Sequence, residues 1–173
     1  MKSFILSCCF FLSVLPVWGQ MDFSATFSGY WSGTLHWYQL GKEPQQVRMQ
    51  LVVKPTDSAH IYTWQIRYGE GEADNRPYLM KAVDTAKGYW QLDEQNGIRI
   101  DQNWLGNRLT SSFRVLGATI VYSYWREGET LVAESYHIRT KEPVISGSGT
   151  DESPQVESFK ATSFQRAVLK RVK

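Results

Sequence analysis

Three histidines, His36, His60 and His137, are the side chains best suited to proton transfer or metal binding near neutral pH. None stands at ligand spacing from another histidine, aspartate or glutamate, so the pattern predicts no metal site. His137 shares an alternating face with Ser135; pointing inward it would meet the polar group of a ligand or a metal, against the plainer reading of a hydrogen-bonded histidine at the barrel rim. Asp93 and Glu94 are adjacent carboxylates. Neighbours on a strand point to opposite faces, so this pair cannot work as facing acid and base. The run Gly69-Glu70-Gly71-Glu72-Ala73-Asp74 is acidic, lacks the spacing of a calcium loop and reads as a solvated turn. Ser111 and Ser112 have no evident base, and the phosphate-loop, G-x-S-x-G and H-E-x-x-H signatures do not occur. The expectation is a chain without catalysis, metal or cofactor.

Aromatic residues carry the stronger signal. The chain has seven Trp, nine Tyr and eight Phe, more than a small core usually requires. Alternation along the expected strands turns Trp37, Met49, Tyr62, Trp64, Trp90, Phe113, Tyr122 and Tyr124 inward, together with His137. Such a lining suits a small hydrophobic or aromatic ligand. The alternative is an interior packed solid with its own side chains.

The elements that must position these residues are strands. Gly88, Gly97, Gly106, Gly117 and Gly128 punctuate segments rich in β-branched and aromatic residues, and no window sustains a helical period. Strands are predicted over 27–40, 46–54, 60–68, 77–83, 88–94, 98–105, 108–116, 119–126, 130–139 and 159–170. An open meander of that length would leave two sticky edges, so an all-β, ten-stranded antiparallel up-and-down barrel is expected over a two-sheet sandwich. Residues 141–157 read as an extended loop.

Parity assigns the faces. On the first strand Trp31, Gly33, Leu35 and Trp37 fall inward and His36 outward. A three-residue loop Gln95-Asn96-Gly97 pairs Leu92 with Ile100 and sets Asp93 opposite Arg99 as an outward ion pair. A turn at Gly117-Ala118 pairs Phe113 with Tyr122 and keeps Tyr122 and Tyr124 inward.

The first residues are set apart from this pattern. Lys2, the apolar run Phe4 to Leu15, and small residues at Val17 and Gly19 predict a signal peptide over 1–19, cleaved before Gln20. The run is shorter than the roughly 20 residues a spanning helix needs. Residues 20–173 would then form one domain, secreted or periplasmic, with neither of the two cysteines. The formal charge of +2 drops to +1 without Lys2, which argues against a nucleic-acid partner. The basic end, Lys170-Arg171-Val172-Lys173, reads as a solvated tail.

Gly29-Tyr30-Trp31 followed by Gly33 resembles the G-x-W opening of the calycin barrels, the lipocalin and fatty-acid-binding-protein superfamily. The resemblance implies that Trp31 plugs one barrel end beneath a basic residue of the last strand, either Arg166 or Arg171, by cation–π contact. Ten strands match the fatty-acid-binding and nitrobindin-like branch. The link Gly41 to Gln46 is too short for a helical lid, and the last strand lacks the haem-binding histidine of the nitrobindin-like proteins.

These observations lead to a non-catalytic binding protein holding a small hydrophobic ligand in the barrel, without a membrane span. The alternatives are a scaffold that docks a protein partner by its loop ends or by an outer patch such as Tyr38, Trp125 and Tyr136, and a haem-binding barrel or enzyme centred on His137.

Overall fold

The computed structural model describes residues 22–71 and 74–172. The predicted signal peptide, residues 1–19, lies outside the described residues, as do Glu72 and Ala73 of the acidic turn. A short helix, α1 (Phe23–Phe27), precedes ten strands: β1 (Gly29–Gln39), β2 (Gln45–Pro55), β3 (Ile61–Tyr68), β4 (Asp74–Asp84), β5 (Tyr89–Asp93), β6 (Arg99–Leu105), β7 (Arg108–Val115), β8 (Ala118–Glu127), β9 (Thr130–Ser146) and β10 (Val156–Arg171). Each strand pairs antiparallel with its sequence neighbour, and β1 pairs with β10 to close the barrel. Closure leaves no free edge around the wall. Among the described residues no helix is long and apolar enough to cross a membrane.

The opening motif works at the closing seam. Gly33 lies opposite Leu169 on β10 and Met49 on β2. A Cβ on Gly33 would sit 2.3 Å from the Val168 carbonyl oxygen, so only glycine lets the two backbones approach this closely. At Gly29, whose φ is +143°, a Cβ would meet the Arg171 guanidinium at 3.3 Å. The space is kept because Arg171 lies over the Trp31 ring, 4.7 Å from its centroid. Arg126 also approaches that ring, at 4.8 Å. Arg171 is thus the residue on Trp31, while Arg166 pairs with Glu134.

α1 was not expected. Asp22 caps it by accepting from the Ala25 amide at 3.1 Å, and Phe23 and Phe27, one turn apart, point into the barrel. A five-residue helix is unstable alone; the burial of these two rings holds it. Trp31 donates its indole Nε1–H to the Phe27 carbonyl at 2.8 Å and fixes the junction.

Several registers follow prediction. Leu92 pairs with Ile100 and Asp93 stands opposite Arg99. Asp93, however, is buried and accepts from the Lys81 ammonium at 2.6 Å, so Lys81 is its ion-pair partner. The β7–β8 turn is at Leu116-Gly117, where both residues have positive φ, and Phe113 pairs with Ile120. That slip of two residues leaves the inward faces unchanged, because side chains alternate with period two. The expected loop over 141–157 is replaced in large part by strand. β9 and β10 run past the last barrel pairs, Ala118 with Arg139 and Gln39 with Ser163, and pair with each other up to Ser146 and Val156. They form an arm beyond one barrel end that exposes Val144, Ile145, Val156 and Phe159.

Candidate functional site

The barrel interior divides into two halves. The half beneath α1 is filled. Phe23 stacks on Trp90 at 4.1 Å and leans on Tyr62 at 4.7 Å. Phe27 meets Trp64 edge-on at 5.4 Å and lies against Trp104 at 5.5 Å. Trp64 in turn meets Tyr124 edge-on at 4.9 Å. Met49 and Trp64 have no exposed surface at all. This region is an interlocked aromatic core. A crevice of about 320 Å³ runs along its rim, between α1 and the Trp90 and Trp104 side.

The other half holds a cavity of about 590 Å³, at the barrel end that carries the β1–β2 and β7–β8 turns. Leu35, Trp37, Val47, Phe113, Ile120 and Tyr122 provide its apolar wall. Gln45, Gln46, Gln165 and His137 provide polar groups, and Tyr68, Asp74 and Arg76 line the side formed by β3 and β4. The strand pattern explains this set. Leu35 and Trp37 continue the inward face of Trp31, and Asp74 and Arg76, two apart on β4, share one face.

Of the nine residues expected to line a ligand site, the structure brings Trp37, Phe113, Tyr122 and His137 together around this cavity. Met49, Trp64 and Tyr124 are sealed in the core that forms its floor. Tyr62 and Trp90 lie at the opposite end, against Phe23. The residues missed by sequence reasoning are Tyr68, Asp74 and Arg76. The acidic run by itself reads only as a turn; the D-x-R spacing from Asp74 to Arg76 is the signal that places both on one strand face.

Electrostatics suit uncharged chemistry. Burial, then the neighbouring Tyr124 phenol, hold the Tyr122 phenol well above its ordinary pKa. Burial, then Tyr122, do the same to Tyr68, and burial raises Tyr124. All three stay protonated at neutral pH. Burial pushes the His137 imidazole below its usual value, so it is neutral at pH 7. Burial opposes the charge of Arg76, but the Asp74 carboxylate outweighs it and the guanidinium stays protonated. Arg76 Nε and Nη2 contact the two Asp74 oxygens at 2.8 and 3.3 Å, and the guanidinium sits 5.0 Å from the Tyr68 ring centroid. Among the described residues no group of three or more His, Cys, Asp or Glu is placed to hold a metal.

Outside the barrel, Phe164 lies 6.0 Å from Tyr38 and 4.8 Å from Tyr136, an exposed aromatic patch. Trp125 does not belong to it; that ring is buried on the outer wall beneath Arg108, at 3.9 Å. His36 faces outward, on a groove shared with Ser32, Thr34 and Arg166.

No protein-family model matches the chain, and no curated protein matches it by sequence. Solved structures do. The S-type phycobiliprotein lyase CPES from Guillardia theta is similar with a TM-score of 0.53 and 7% identity, over 84% of this chain and 88% of that one. Rv2717c from M. tuberculosis is similar with a TM-score of 0.48 and 14% identity, over 84% and 92%. The first likeness supports the closed antiparallel barrel at the level of fold. It also corrects one expectation. A barrel of this architecture serves a lyase, so the absence of familiar catalytic motifs does not make the chain a non-enzyme.

Proposed function

We propose that the open half of the barrel binds a small hydrophobic or aromatic molecule, in a secreted or periplasmic protein delivered by residues 1–19. The observation that carries this reading is the cavity of about 590 Å³, walled by Trp37, Phe113, Ile120 and Tyr122 and floored by a solid core. Ligand sites commonly measure roughly 300–1,000 Å³ and combine apolar walls with a few polar groups. The strand number and the short β1–β2 link favour the nitrobindin-like branch of the calycin superfamily.

The test uses N-phenyl-1-naphthylamine, an uncharged dye that brightens in apolar surroundings. The wild-type protein should bind it saturably at one site. Ile120→Trp, which fills the cavity, should abolish that binding. No saturable binding, or equal binding by both proteins, would count against the reading. Native mass spectrometry of protein purified from its own compartment would then identify the natural occupant.

A further inference from the structure

The charged groups lining the cavity neutralise each other. Among its described lining residues there is one carboxylate, Asp74, and one guanidinium, Arg76. They form a two-point contact, Nε to Oδ1 at 2.8 Å and Nη2 to Oδ2 at 3.3 Å. The planar fork of arginine matches a carboxylate in this way, and the pair so formed carries no net charge to attract a second anion. We propose that the Asp74–Arg76 pair makes this cavity select uncharged ligands over anionic ligands of the same shape. The proposal rests on the ligand-binding reading above and adds the class of ligand.

Two routes are open to an anion, and both are unfavourable. It can displace Asp74 from Arg76, which strands the Asp74 carboxylate in a half-enclosed site. It can instead enter beside the intact pair, which brings a second negative charge close to the first. An uncharged ligand meets neither penalty. Its carbonyl, ether or hydroxyl oxygen can accept from the carboxamides of Gln45, Gln46 or Gln165, or from His137. The backbone builds the pair in. Asp74 and Arg76 are inward residues at successive turns of the β4 pleat, and β3 places Tyr68 opposite Asp74, with the Tyr68 ring against the guanidinium. Both charged side chains are 46% exposed, so water softens the effect. The selectivity due to the pair should be about three- to tenfold, less than a fully buried pair would impose.

The experiment compares two dyes with one skeleton, uncharged N-phenyl-1-naphthylamine and anionic 8-anilino-1-naphthalenesulfonate. The dyes differ in intrinsic hydrophobicity, and that difference cancels when the ratio of their affinities is compared between variants. Asp74→Asn releases Arg76 and should move the ratio toward the anionic dye by about three- to tenfold. Arg76→Gln leaves Asp74 alone and should move the ratio the other way, which keeps the proposal testable if Asp74→Asn fails to fold. Tighter binding of the anionic dye by the wild-type protein, or a ratio that neither variant moves, would overturn the proposal. If the wild-type protein binds neither dye, the ligand-binding reading itself falls.

Discussion

The two halves of the barrel interior are lined by the same alternation of strand residues, yet one is solid and the other hollow. Beneath α1, Phe23 and Phe27 fill the space between Tyr62, Trp64, Trp90 and Trp104. At the far end nothing in the described chain fills the space between Trp37, Phe113 and Tyr122. The difference lies outside the strands, in five residues that precede β1. Aromatic content on a barrel wall therefore does not distinguish core from ligand site. What distinguishes them is whether another segment supplies the facing surface.

The comparison can be broken first by truncation. Trp64→Ala in the filled half should lower unfolding free energy by about 3–5 kcal/mol, because the locked neighbours cannot collapse onto the void. Phe113→Ala at the cavity should cost about 1 kcal/mol or less, since its ring already borders empty space, while weakening N-phenyl-1-naphthylamine binding about tenfold. Urea denaturation and dye titration on the same samples give both numbers. Equal stability losses would erase the distinction between the halves.

The seam sharpens the same contrast. Gly33→Ala forces a Cβ onto the Val168 carbonyl and should cost about 1–3 kcal/mol by prising β1 from β10. Hydrogen exchange should then quicken along the β1–β10 ladder more than along β4–β5. Uniform quickening would contradict the placing of strain at the seam.

The smallest effect concerns pH. Burial lowers the pKa of His137 in the folded chain below 6.5, the value it regains on unfolding. Its contribution to stability is present above pH 6.5 and is lost as pH falls through the folded-state value, because the unfolded chain takes up the proton first. His137→Gln should flatten the stability profile below about pH 6.5. A profile that His137→Gln leaves unchanged would show that the imidazole is solvated and does not belong to the apolar cavity.

Much of the barrel was legible in the sequence because period-two alternation survives errors of register. The β7–β8 turn illustrates this. Leu116 occupies a positive φ of 47°, which a branched residue rarely adopts, so the turn was expected one residue later. The resulting slip was even, and Tyr122 and Tyr124 kept their face. The arm was missed because Pro143, Gly147 and Gly149 read as loop, although Val144 and Ile145 continue β9. α1 was missed because five residues are too few to establish a helical period; Asp22 as a cap and the spacing of Phe23 and Phe27 were its only traces. That omission also hid which half would stay open. Four of the expected ligand residues reached the cavity and five did not, for want of the plug that separates them.

The most direct test of the central claim is a crystal structure of the protein with N-phenyl-1-naphthylamine. The account predicts the dye in the open half, against Trp37, Phe113 and Tyr122, with Phe23 and Phe27 unmoved. Dye seated instead in the crevice beside Trp90 and Trp104, or displacing Phe23, would contradict it.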